Sequence, residues 1–141
     1  METKRTTKDI PLNEITLRKY ESPKGLDKRE LCHKFLLSLG LLQPGESRDI
    51  LIDIFYLFVQ NKTKEPIDVL FISKKLKDKP GASEPNIRRQ IRRLKEFKLV
   101  DKVGIAYKLA DSENAVKNFL IPFYIQPSTE RLLDYARELS K

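Results

Sequence analysis

Cysteine and histidine are almost missing. Cys32 and His33 are the only ones in 141 residues. No disulfide framework and no cysteine-ligated zinc site can therefore organise the chain. As neighbours on a helix the two side chains point about 100° apart, so they cannot face each other as a nucleophile and its base must. Cys32 is expected near the core and His33 near the surface. There is no tryptophan, and the five glycines are scattered. None of them forms a Gly-rich phosphate loop or a GxGxxG turn. No apolar run is long enough to span a bilayer. The opening METKRTTKDI is charged and lacks an apolar h-region, so no secretory signal is expected. Asp49 and Asp53, four residues apart, could act as paired carboxylates, but they read better as the solvated edge of a buried helix. These absences point away from an enzyme, a cofactor, a metal centre and a membrane, and toward a cytoplasmic binding protein.

What is abundant is positive charge, and it is concentrated. Residues 73–108 hold 12 Lys+Arg and 4 Asp+Glu, a surplus equal to the whole net charge of +8. The rest of the chain is neutral. Such a basic stripe is the footprint of a polyanion partner. A merely solvated helix face would alternate signs. Here four arginines accompany one glutamate on the helix face within SEPNIRRQIRRLKEFKLVDKVGIAYKL.

That stretch predicts a helix and a hairpin. Ser83 is a good N-cap. Glu84 suits the positive end of a helix, and Pro85 is tolerated in its first turn. Ile87, Ile91 and Leu94 form one apolar stripe. Asn86, Arg89, Arg92, Arg93 and Glu96 fall opposite the stripe, and Arg88 and Lys95 flank it. Leu99-Val100 and Ala106 to Leu109 read as short strands, with Gly104 supplying the tight turn.

Upstream, residues 1–8 are expected to be disordered. Residues 9–21 read as an arm packed on another element, followed by a turn. Asp27 with Glu30 caps a first helix, whose apolar face is Leu31, Phe35, Leu36 and Leu39, and Gly40 ends it. Ser47 is placed to cap a second helix that is apolar nearly all round and hence central. Pro66-Ile67 reads as a short strand pairing with the hairpin. Asp68 then caps a third helix to about Lys77, with Val69, Ile72 and Leu76 inward. Downstream, Asp111 or Ser112 caps a helix to about Leu120, which Pro122 interrupts. Ser128 caps a last helix bearing Leu132, Leu133, Tyr135, Ala136 and Leu139. That face can fold back on its own domain or pair with a second copy.

The order helix, buried helix, short strand, helix, basic helix, hairpin and trailing helices resembles the winged helix-turn-helix superfamily. Within it the chain looks most like small archaeal and bacterial transcriptional regulators of the MarR-like or ArsR-like kind. The residues carrying the resemblance are NIRRQIRRLKEFKLVDKVGIAYKL, and ITLRKYESP with FLLSLGLLQPGESRDIL is similar to archaeal winged-helix proteins. The implied fold is mainly α with a small β-wing. Residues 1–25 are an arm, 26–110 the winged helix-turn-helix domain, and 111–141 a helical extension that is a candidate dimerisation element.

The resemblance implies a sequence-specific regulator on double-stranded DNA. It would lay the basic helix 83–98 in the major groove and the wing 99–109 on the backbone. Asn86, Arg89 and Arg93 are then the candidates to read base edges. Arg88 and Arg92 suit either role, and Ser83 sits at the helix entry. Lys74, Lys75, Lys102 and Lys108 are candidate phosphate contacts. A homodimer through Leu132, Leu133, Tyr135, Ala136 and Leu139 would double the base contacts. No metal-sensing cysteine or histidine pair accompanies the motif, and the sequence names no effector ligand. Two other readings stay open: a winged-helix interaction subunit of a replication, transcription or repair assembly, and an RNA-binding protein.

Overall fold

Four helix caps fix where the main elements begin. The structure, a computed structural model, describes residues 9–46 and 49–141. The expectations for residues 1–8 and for Ser47 lie outside that set. Asp27 accepts the backbone N–H of Glu30 at 2.8 Å and opens α1, Lys28–Ser38. Asp49 accepts from Leu51 at 2.7 Å and opens α2, Ile50–Gln60. Asp68 accepts from Phe71 at 2.8 Å and opens α3, Val69–Lys75. Ser83 accepts from Asn86 and opens α4, Glu84–Glu96. In each case a short side-chain oxygen meets an N–H that the helix itself leaves unpaired.

The core forms around α2. Its residues Ile50 to Phe55 and Phe58 are buried, as its apolar circumference requires. α1 packs on α2, and α3 and α2 pack on α4. Cys32, Leu36 and Leu37 are the buried positions of α1. This corrects the expected face: Leu31 and Phe35 are only half-buried. α1 ends where expected. Gly40 has a φ of +75°, and Leu41 donates back to Leu36 at 3.0 Å, the pattern of a glycine-closed helix. A side chain there would also collide with the arm, since a Cβ would lie 2.5 Å from that of Thr16.

The arm does pack on another element, as expected, and it does so by capping. The Arg18 N–H donates to Ser38 at 3.0 Å. Its guanidinium donates to the carbonyls of Leu37 at 2.8 Å and Leu42 at 2.9 Å. One cation thereby joins the last turn of α1 to the connector that follows it, bonding a carbonyl of each.

The hairpin pairs β1, Val100–Val103, antiparallel with β2, Ala106–Leu109. Gly104, at φ +64°, starts the two-residue turn, a conformation that a glycine enters without a Cβ clash. Ile67 exchanges two backbone hydrogen bonds with Tyr107, at 2.9 and 2.8 Å. In place of the expected short strand, a single-residue bridge at Ile67 joins β2 on the side away from β1 and fastens the hairpin to the entry of α3.

The trailing segment departs from expectation. Asp111 caps α5, Ser112–Ala115, by accepting from Asn114 at 3.1 Å. The chain then continues without a break through a π-helical stretch, Val116–Ile125, into α6, Gln126–Leu139. Pro122 lies inside this rod and does not interrupt it. Proline lacks the N–H for the regular ladder and crowds the preceding turn. The wider π-turn relieves that crowding. Ser128 consequently caps nothing, because α6 is entered from helical residues. No residue of α6 is buried. Leu132, Tyr135 and Leu139 are 70, 67 and 87% exposed, so α6 does not fold back on its own domain.

Candidate nucleic-acid interface

The position of α4 is set by Ile87, Ile91 and Leu94, which are buried as the stripe predicts, and by Gln90, which is also buried. With that face inward, Arg88, Arg89, Arg92 and Lys95 face solvent. They form one cationic arc along the helix, broken by Glu96 and by Glu84, which lies 3.8 Å from Arg88. That exposed pair is too weak to remove Arg88 from the surface field.

Asn86 and Arg93 are placed differently. Both are half-buried. The Asn86 amide donates to the Gly81 carbonyl at 2.8 Å, and its oxygen accepts from Arg89 at 2.6 Å and from Gln90 at 3.1 Å. Arg93 donates to Gln90 at 2.8 Å and to the Leu41 carbonyl. A chain of side-chain bonds thus runs from the α3–α4 turn through Asn86, Gln90 and Arg93 to the α1–α2 connector. It tethers α4 at both ends. The helical wheel puts Arg93 opposite the stripe, but the connector wraps far enough round α4 to meet it. Gln90 was legible: it stands three residues after Ile87 and one before Ile91, at the edge of the stripe.

The remaining candidates are spread around this helix. Ser83 is exposed, and its hydroxyl is engaged in the cap. Lys74 and Lys75 are exposed in the last turn of α3, with Lys75 Nζ 5.5 Å from the centre of the Phe71 ring. In the hairpin, Lys102 sits opposite Tyr107 and Lys108 opposite Asp101. Successive residues of a strand face opposite sides, so the two lysines lie on opposite faces of the hairpin. They cannot serve one stretch of phosphate backbone together. Lys108 also shares its face with an acid.

A second polar feature ties the domain together. Asp53 is 7% exposed, not the solvated edge expected. Its carboxylate meets Arg29 of α1 at 3.0 Å and Lys79 of the α3–α4 turn at 3.7 Å. Cys32 is buried as expected, and burial pushes its thiol up to about 11. It is protonated near neutral pH and is a poor nucleophile there. His33 is held below its usual value, first by burial and then by the charge of Arg29 and Lys34. No hydrogen bond joins it to Cys32. Among the described residues no group of three or more His, Cys, Asp or Glu could hold a metal ion, and no helix is long and apolar enough to cross a membrane.

Comparison of the chain with models of protein families, with curated proteins and with solved structures gave no match.

Proposed function

We propose that this chain is a winged helix-turn-helix DNA-binding protein, a sequence-specific transcriptional regulator acting as a homodimer. α4 enters the major groove, and the β1–β2 wing lies on the neighbouring backbone. The observation that carries this reading is the solvent-facing arc of Arg88, Arg89, Arg92 and Lys95, on a helix tethered at both ends. A rigid helix presenting guanidinium groups suits bidentate contact to guanine edges. The hydrogen bonds of Asn86 and Arg93 favour a positioning role for those two. Base reading then passes to Arg89 and Arg92, while Arg88, Lys95, Lys74 and Lys75 meet phosphate.

Fluorescence anisotropy on random-sequence duplex DNA, from about 50 to 200 mM salt, tests the reading. Micromolar binding at low salt is expected. Log affinity should fall against log salt with a slope of about −4 to −7, as for roughly 4–8 phosphate contacts. No binding at low salt would overturn it. The same face would then be sought as a docking surface for an acidic protein.

The dimer part of the proposal rests on α6. Leu132, Ala136 and Leu139 continue a three-four spacing from Ile125 and Thr129, the seam of a two-helix pairing. Leu133 and Tyr135 border it. Light scattering on the purified protein should give twice 16.5 kDa. Leu132→Asp with Leu139→Asp should return the mass to that of one chain without unfolding it, since both side chains are exposed.

A further inference from the structure

We infer that the cleft between the arm, α1, α2 and the β2–α5 junction binds a soluble amphipathic monoanion, an apolar tail ending in a carboxylate. The cleft has a volume of about 550 Å³, within the range of small-molecule sites. Its walls are apolar. Leu31 and Phe35 come from α1, Phe55 and Val59 from α2, and Leu109 from β2. The rings of Phe35 and Phe55 lie 6.1 Å apart and within 22° of parallel, which gives a flat surface for a chain or ring to lie on. This is where the half-buried Leu31 and Phe35 find their meaning: they are apolar positions of α1 that the protein's own chain leaves uncovered.

The charged part of the lining selects the charge of the ligand. Lys28, Lys34 and Lys62 line the cleft with one acid, Glu21. Glu21 is 3.3 Å from Lys34, whose Nζ also lies 4.9 Å from the centre of the Tyr20 ring. That pairing accounts for one lysine. Lys28 and Lys62 have no side-chain partner among the described residues. An apolar cleft edged by two uncommitted ammonium groups favours an anionic head over a neutral or cationic one. Cys32 also lines the cleft. Its protonated thiol adds an apolar contact and no competing charge.

Octanoate is the probe, with 1-octanol as its uncharged counterpart. Titration into the full-length protein, followed by methyl NMR, should shift Leu31, Val59 and Leu109 with submillimolar affinity for octanoate and weaker affinity for octanol. Lys28→Ala with Lys62→Ala should weaken octanoate about two- to thirtyfold, the range for two exposed ion pairs, and leave octanol unchanged. Both lysines are exposed, so this variant folds. Val59→Phe should fill the cleft and weaken both ligands. Equal affinity for the two probes, indifference of octanoate to the lysine change, or shifts confined to other methyls would each overturn the inference. The experiment contains no DNA, so its failure leaves the DNA reading untouched, and the reverse holds.

Discussion

Alanine at both Arg89 and Arg92 should lower affinity for a preferred duplex by about 2–6 kcal/mol, from about 1–3 for each guanidinium that reads a base. At 1.4 kcal/mol per tenfold, that is roughly 30-fold to twenty-thousandfold. Both side chains are solvent-facing, and Arg89 bonds only to the edge of Asn86. The melting temperature should therefore hold while binding falls. Arg93→Ala should behave in the opposite order. It removes the bonds to Gln90 and to the Leu41 carbonyl, and a buried acceptor left without its donor costs about 1–3 kcal/mol of stability. Binding and thermal melting measured on the same three proteins separate the two roles. Arg93→Ala with full stability and lost sequence preference would return Arg93 to the base-reading set. Loss of affinity equal on all sequences in the Arg89/Arg92 variant would reassign those two to phosphate.

The second large effect is on stability. Asp53→Ala removes the carboxylate that Arg29 and Lys79 share. Breaking a buried ion pair costs about 3–5 kcal/mol when the surviving charge stays buried. Here the partner side chains are 38 and 50% exposed and can rehydrate. We expect about 2–3 kcal/mol, or a fall of roughly 5–12 °C in Tm at this chain length. Asp53→Leu should cost less, because an apolar side chain fills the same site between helices. If Asp53→Ala melts with the wild type, the triad contributes nothing net and the helices are held by apolar packing alone.

Much of the fold was legible because it is decided locally. Asp27, Asp68, Ser83 and Asp111 cap their helices through bonds to N–H groups three residues on, and no distant residue has a vote. The stripe of α4 and the turn at Gly104 are local in the same sense. What could not be read depends on which neighbour arrives. Arg93 looks outward on any helical wheel, and only the approach of Leu41 turns it into a tether. Asp53 looks like a solvated break in an apolar helix until Arg29 and Lys79 come to it from two other elements. Pro122 reads as a stop, since the α-helical ladder cannot accommodate it. The chain answers by changing the ladder, an option that periodicity does not reveal. The cleft was invisible for a related reason. Phe35 and Phe55 are twenty residues apart, and a hollow exists only between elements.

The hairpin also bears on how the protein avoids sticking to itself. β2 is paired on both sides, with β1 and with Ile67. Among the described residues β1 is paired on one side only. An open strand edge is a template for another chain, and proteins guard such edges with short length and charge. β1 has four residues, and Asp101 and Lys102 occupy its middle. Those two charges stand between the buried Val100 and the exposed Val103 and Ile105. Lys102 thus has a use that needs no ligand: it breaks what would otherwise be an apolar ribbon with a free edge, ready to recruit its own kind.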